Sequence, residues 1–134
     1  MSKREDRAAA IILAVHDVEE TRDGIEKLLI ADGYRVDPAR NEQDAVDSAR
    51  RRHPNLILVG LDGRPLEVIA SAARIRRRAG VPDAVPIVIF CMTMIEEGAE
   101  VAIGNNAYVT RPDTFNQLRA FIARLLGAPH LRPT

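Results

Sequence analysis

The chain has 134 residues, of which 46% are hydrophobic, enough to fill the core of one compact domain. Its 19 basic and 19 acidic residues cancel, which argues against binding dominated by electrostatic attraction to nucleic acid or to an anionic membrane. A single cysteine excludes an intramolecular disulfide, and no apolar segment resembles a membrane span or a signal peptide. We therefore expect one cytoplasmic domain over residues 1–134, with its core at about 10–127, loose ends, and no nucleic-acid or membrane partner.

Five short apolar runs alternate with segments of helical spacing along the chain. A strand that is apolar at successive positions must be covered on both faces, as in a parallel sheet with helices on each side. The sequence therefore predicts a three-layer α/β fold with a doubly wound, five-stranded parallel sheet. The runs are Ala10 to Val15, Tyr34 to Val36, Leu56 to Gly60, Ile87 to Cys91 and Ala107 to Thr110.

Five helices are expected after these strands, from capping residues, apolar stripes and stop residues. For the fourth, Thr93 and Glu96 fit a capping box, and the glycine and asparagines at 104–106 fit a helix stop. The basic clusters at 50–52 and 74–78 are expected to be solvated helix ends that suit the helix dipole. The helices are expected to begin near Val18, Asn41, Pro65, Thr93 and Asp113 and to end at Gly33, His53, Gly80, Gly104 and Gly127.

The carboxyl ends of the strands form the edge of such a sheet where loops converge and ligands bind. In the residues at this edge, and more widely over residues 10–127, the sequence resembles the receiver domain of two-component response regulators. The matching segments, in order, are IILAVHDVEETR at 11–22, NEQDAV at 41–46, PNLILVGL at 54–61, RIR at 74–76, PIVIFCM at 86–92 and GNNAYVTRP at 104–112. Each is weak alone, but their order and spacing are specific. The resemblance implies a flavodoxin-like (βα)5 fold and a role in phosphorelay signal transduction.

Receivers accept a phosphoryl group from a histidine kinase on an aspartate that ends the third strand. The transfer needs this carboxylate, a Mg²⁺ ion held largely by acidic side chains after the first strand, and hydroxyl and cationic groups around the phosphoryl oxygens. The resemblance implies that His16-Asp17 occupies the position of the acidic pair and that Gly60 occupies the position of the acceptor. Cys91 is at the hydroxyl position, and Arg111 is at the lysine position, followed by the proline that receivers have there, Pro112. Glycine has no nucleophile, so we expect no aspartyl phosphorylation, no resident cofactor and no enzymatic activity.

Two alternatives stay open at this edge. In the first, Asp62 is an altered phosphoacceptor with residual Mg²⁺ binding. Two strand residues span roughly 6 to 7 Å, so Asp62 would reach the acceptor position only if the backbone bulged. Otherwise Asp62 belongs to a turn that leads into the third helix. The second alternative is a small-ligand or soft-metal site formed by His16, Asp17, Asp62 and Cys91, whose types suit zinc although no spacing motif supports it.

Tyr108 matches the aromatic position through which receivers couple phosphorylation to their output surface, and its alternative role is packing. The resemblance implies that the fourth helix, fifth strand and fifth helix form the contact face and a possible homodimer interface. We therefore expect a degenerate receiver-like signalling module that binds a histidine kinase or a downstream signalling protein. The contact face would draw on Glu97, Glu100, Val101, Tyr108, Arg111, Gln117 and Arg119.

Overall fold

A computed structural model describes residues 9–90, 93 and 95–127. These residues form one six-stranded sheet and four α-helices. None of the helices within the described residues combines the length and the apolar character needed to cross a membrane. The elements in chain order are β1 (Ile11–His16), α1 (Glu19–Ala31), β2 (Arg35–Ala39), α2 (Glu42–Arg52), β3 (Leu56–Gly60), α3 (Pro65–Ala79), β4 (Ile87–Phe90), β5 (Glu100–Gly104), β6 (Ala107–Thr110) and α4 (Phe115–Leu125).

The strands lie in the order β2-β1-β3-β4-β6-β5. Every pairing is parallel except that of β5 with β6. The predicted doubly wound α/β fold is therefore confirmed, with one antiparallel edge strand added to the five predicted strands. In the register of β1 with β3, His16 lies beside Gly60, so the carboxyl ends of these two adjacent strands meet at one edge.

The core has two layers, one on each face of the sheet. Successive residues of β3 alternate between them: Ile57 packs with residues of α2 and α3, whereas Leu58 packs with residues of α1 and α4. All four residues from Leu56 to Val59 are buried. The unbroken apolar run is thus explained by cover on both faces, as its sequence predicts.

The predicted fourth helix is wrong. Residues 100–104 form β5 instead, and a tight turn at Asn105 and Asn106 returns the chain into β6. Both asparagines have positive φ, 53° and 57°, as in the type I′ turns that fit the twist of a hairpin. The Gly-Asn-Asn sequence is therefore a hairpin turn and not a helix stop, and the β-branched Val101 and Ile103 suit the strand before it.

Arg76 of α3 holds this hairpin in place. Its side chain is only 11% exposed, and its guanidinium group donates hydrogen bonds to the carbonyls of Pro82 (2.6 Å) and Val85 (2.9 Å) in the α3–β4 loop. A further hydrogen bond of 2.7 Å reaches the carbonyl of Asn105 in the hairpin turn. One side chain therefore connects a helix, a loop and the turn that replaces the expected helix.

Replacing Arg76 with methionine should lower the free energy of unfolding by about 2 kcal/mol, because several carbonyls would lose their donor. Arg77→Met is the matched control, since Arg77 lies exposed on the next position of the same helix. Urea unfolding should separate the two variants. Equal stability of Arg76→Met and Arg77→Met would contradict the role assigned to Arg76.

A charge cluster joins α2 to α3. The carboxylate of Glu42 accepts hydrogen bonds from Ser71 (2.8 Å), Arg74 (2.8 Å) and Arg78 (3.0 Å). The hydrogen bond from Arg74 is the main reason why the pKa of Glu42 falls to about 2. The basic cluster at the end of α3 is therefore not only solvated, because two of its arginines bind a carboxylate on the neighbouring helix.

Glu42→Gln should destabilise the protein by about 2 kcal/mol at neutral pH. The folded-state pKa of Glu42 lies below its ordinary value of 4.5, so the stabilisation is complete above pH 4.5 and declines as the pH falls towards 2. Unfolding free energies of wild type and variant should therefore converge in acid. A difference between wild type and Glu42→Gln that stays constant with pH would contradict this assignment.

Candidate functional site

The space beside Gly60 is filled by two aromatic rings. A Cβ atom built on Gly60 would lie 2.7 Å from Cδ2 of His16 and 2.7 Å from Cδ2 of Phe90. Carbon atoms in contact prefer separations of about 3.5 to 4.0 Å, so a side chain at this position would require both rings to move. The carboxyl end of β3 is therefore backbone covered by rings from β1 and β4.

Space, and not backbone conformation, accounts for the glycine at this position. The glycines with positive φ include Gly33, Gly63 and Gly80, but Gly60 is not among them. Its backbone is therefore open to any L-residue, as expected in the last position of a strand. At Gly24, Gly33, Gly63, Gly80, Gly98 and Gly104, a built Cβ atom has no neighbouring heavy atom closer than 3.0 Å, in contrast to Gly60.

His16 is a mostly buried, neutral imidazole. Its Nδ1 atom accepts a hydrogen bond of 3.1 Å from the backbone N–H of Val18, so the ring proton is on Nε2. Burial lowers the pKa of His16; the nearby Asp17 opposes this effect, and Arg22 adds to it. Although Nδ1 lies 3.7 Å from Oδ1 of Asp17, the two groups do not form an ion pair at neutral pH.

Asp17 connects the end of β1 to the loop after β3. Its Oδ2 atom accepts a hydrogen bond of 3.1 Å from the backbone N–H of Asp62. Asp62 itself is exposed in the turn that leads into α3, followed by Gly63 with φ of 137°. This geometry matches the turn that the sequence offered as the alternative to an acceptor role for Asp62.

The proposed convergence of metal ligands lies partly outside the described residues, because Cys91 is not described. Within residues 9–90, 93 and 95–127, no three His, Asp or Glu side chains are grouped so that they could hold a metal ion. His16 and Asp17 adjoin each other, and Asp62 joins them through its backbone N–H and not through its carboxylate. The geometry of these three residues gives the zinc alternative no support.

Arg111 and Tyr108 have contacts of their own. The guanidinium group of Arg111 donates a hydrogen bond of 3.2 Å to the carbonyl of Ile95, in the segment before β5. Tyr108 packs edge-to-face on Phe121 of α4, with ring centroids 5.6 Å apart. Its hydroxyl group donates to Oδ1 of Asn106 at 2.8 Å. Tyr108 therefore both packs in the core and supports the hairpin turn.

An apolar cleft of about 690 Å³ opens above Gly60. Pro112 lines it, together with Asp17 and Asp62 on its polar side. The sequence alone did not indicate this cleft, because its apolar members read as parts of separate helix stripes. The apolar side chains that line it include Val18, Leu61, Val68, Phe90, Phe115 and Leu118.

Known structures resemble this chain, although no protein-family model and no curated protein matches its sequence. The receiver domain of the sensor histidine kinase PA1611 from Pseudomonas aeruginosa is 28% identical, with a TM-score of 0.68 over 90% of this chain and 99% of that one. That structure has a magnesium ion in its active-site cleft. The chain has the fold of a response-regulator receiver domain.

Two further receivers give the same result. The chemotaxis protein CheY4 of Vibrio cholerae is 20% identical, with a TM-score of 0.67 over 88% of this chain and 99% of that one. A signal receiver domain of a histidine kinase from Syntrophus aciditrophicus is 19% identical, with a TM-score of 0.66 over 94% of this chain and 96% of that one. The resemblance predicted from the sequence and the flavodoxin-like receiver fold are thus confirmed.

Gly60→Ala should destabilise this receiver-like domain by about 1 to 2 kcal/mol, because the added methyl group meets two rings. In a His16→Ala background the same substitution should cost less, since one of the two rings is gone. Urea unfolding of the four proteins of this cycle measures the coupling.

Gly24→Ala is the matched control for this cycle. A Cβ atom on Gly24, in α1, would meet no atom within 4 Å, so alanine should stabilise the helix by up to about 1 kcal/mol. A Gly60→Ala variant that is as stable as Gly24→Ala would show that the rings do not restrict position 60.

Proposed function

We propose that this chain is a receiver-like module of two-component signalling that works by binding another protein and does not form an aspartyl phosphate. The observation that carries the proposal is the packing at Gly60. The acceptor position has no carboxylate, and the rings of His16 and Phe90 fill the space into which one would project. No nucleophile is present at that point, and a side chain there would require both rings to move.

The residues around Gly60 also fit Mg²⁺ poorly. Magnesium prefers a near-octahedral set of oxygen ligands, usually including one or two carboxylates. Here a neutral imidazole stands in place of one carboxylate of the acidic pair, and the carboxylate of Asp17 already accepts a hydrogen bond from the Asp62 backbone. We therefore do not expect this chain to bind Mg²⁺ as the PA1611 receiver does.

The cationic position supports the same conclusion. In receivers a lysine before the proline neutralises the transferring phosphoryl group, whereas Arg111 donates its hydrogen bond to the carbonyl of Ile95. A longer, planar guanidinium group does not reproduce the compact ammonium charge. Three parts of the transfer machinery thus have other structural tasks in this chain.

Without a phosphate, the conformation of the module must be set by what binds it. A ligand shifts a conformational equilibrium only by its difference in affinity for the two states. The partner, whether a histidine kinase or a downstream signalling protein, would therefore supply the free energy that an aspartyl phosphate supplies in an active receiver. Signalling would then follow the abundance and the assembly of the module.

Incubation with acetyl phosphate and Mg²⁺, followed by intact-mass measurement, tests the proposal. We expect no added phosphoryl group, because no carboxylate occupies the acceptor position. An active receiver with an acceptor aspartate, treated in parallel, shows that the reagents work.

A phosphoryl adduct that disappears in Asp62→Asn would overturn the proposal and establish Asp62 as an acceptor. Asp113→Asn is the matched control, because Asp113 is another exposed carboxylate on the same cleft. An adduct that persists in both variants would place the modification elsewhere and would still contradict a protein that takes no phosphate.

A further inference from the structure

The two edges of the sheet differ in how they are protected against pairing with another strand. The edge strand β2 contains the charged Arg35 and Asp37, and also Pro38, which cannot donate a backbone hydrogen bond. Natural sheets commonly protect their edges in this way. The opposite edge strand, β5, has the sequence Glu-Val-Ala-Ile-Gly, without proline or lysine. The β5 edge therefore lacks the proline of the β2 edge and has a single charged residue.

Exposed apolar side chains lie along β5. Val101 is 41% exposed and Ile103 is 40% exposed. Val101 lies opposite Val109 of β6, which belongs to the core layer under α2 and α3. Opposite residues share a face of the sheet, so Val101 extends that apolar layer to the edge. The fourth helix predicted from the sequence would have been expected near this surface, but residues 95–104 contain no helix.

The one charged side chain of β5 is bound within its own chain. The Oε1 atom of Glu100 accepts a hydrogen bond of 2.8 Å from Arg124, and Oε2 accepts one of 3.2 Å from Gln117. Both donors are on α4. The charge of Glu100 is therefore directed towards α4 and compensated there, and it does little to repel a strand that approaches the edge.

The backbone pattern shows which groups of β5 are available at that edge. The N–H of Arg111 donates to the carbonyl of Ala99 at 3.1 Å. Hydrogen-bonded and non-hydrogen-bonded positions alternate along an antiparallel pair. Two residues after Ala99, the N–H and C=O groups of Val101 therefore face β6, whereas those of Glu100 and Ala102 point outward. A bulge follows between Ala102 and Gly104. No other strand in the described part of the chain pairs with this outer side.

We propose that β5 is a dimerisation strand that pairs in antiparallel fashion with β5 of a second copy of this chain. In a two-fold register centred on Val101, the outward groups of Glu100 in one copy meet those of Ala102 in the other. Each glutamate then faces an alanine, so no like charges oppose each other. The two sheets become one continuous sheet across the two-fold axis.

The same register brings apolar side chains together. The two Val101 side chains would form a non-hydrogen-bonded pair, in which Cα atoms are only about 4.5 Å apart. The Ile103 side chains lie on either side of this pair, on the same face. Ile103 also lines a shallow groove of about 300 Å³ beside Ile69 and Ala73 of α3, so the apolar strip would continue from one α3 to the other.

This interface differs from the helix-strand-helix homodimer that the sequence resemblance implies. It uses the backbone edge of a strand that exists because residues 100–104 do not form a helix. It is also independent of the proposed function, because it involves none of the residues around Gly60. A failure of the dimer would leave the phosphorylation result unaffected, and the reverse also holds.

Sedimentation velocity over a range of concentrations tests the dimer. A short interface of this kind buries less than about 1,200 Å², which is typical of weak association, so dimer should accumulate only at the higher protein concentrations. Ala102→Pro removes an outward N–H without removing a bond to β6, and Val101→Lys places a charge at the centre of the interface. Both variants should remain monomeric over the whole range.

Ile30→Lys is the matched control, because Ile30 is 51% exposed on α1, away from the β5 edge. It should dimerise as the wild type does. Circular dichroism and thermal unfolding of all four proteins show whether each variant is folded. If Ala102→Pro is not folded, Val101→Lys alone tests the interface.

Hydrogen exchange provides a second, variant-free measurement. Amides of residues 100–104 should exchange more slowly at high protein concentration than at low concentration, whereas those of residues 35–39 should not change. A wild type that stays monomeric at the highest concentration would overturn the proposal. So would a dimer that persists in both Val101→Lys and Ala102→Pro, or concentration-dependent protection at 35–39 in place of 100–104.

Discussion

The close packing of His16 and Phe90 against Gly60 is the constraint on which the rest of this site depends. Parallel register brings the ends of β1, β3 and β4 to one edge, and at that edge a residue without a side chain leaves room for two rings. The neighbouring Asp17 carboxylate accepts a hydrogen bond from the backbone N–H of Asp62, which connects β1 to the loop after β3.

The hydrogen bonds of these polar positions have a common physical reason. A polar group that is removed from water needs a hydrogen-bond partner, because without one it destabilises the fold. The Nδ1 atom of His16 accepts a hydrogen bond from the N–H of Val18, and the Asp17 carboxylate accepts one from the N–H of Asp62. Arg111 donates a hydrogen bond to the carbonyl of Ile95. These three positions, which the receiver resemblance singles out, therefore make structural contacts with the backbone.

The second departure from the receiver pattern is the β5–β6 hairpin, and it changes the surface that the domain presents. Arg76 fixes the turn end of the hairpin through backbone carbonyls, and Gln117 and Arg124 fix its open end through Glu100. A helix on this side would cover the sheet and end it with side chains. An edge strand instead offers backbone hydrogen-bonding groups and an apolar strip, which are suited to association with another strand.

The sequence by itself determined the order of most elements, because apolar runs and capping residues are local signals. Asn41 and Gly80 cap helices where their residue types predict, and the loss of the acceptor carboxylate is visible as soon as Gly60 is placed at a strand end. Residues 95–106 do not form the predicted helix: Thr93 with Glu96 satisfies a helix-start pattern, but Asn105 and Asn106 serve equally well in a hairpin turn.

Only the tertiary structure decided between those two readings, through contacts distant in sequence: Arg76 reaches the turn across 29 residues, to the carbonyl of Asn105. In the same way, no local pattern shows that the rings of His16 and Phe90 fill the place beside Gly60, since the three residues come from three strands. Side-chain identity is a property of the sequence, whereas which space is already filled depends on how the strands align.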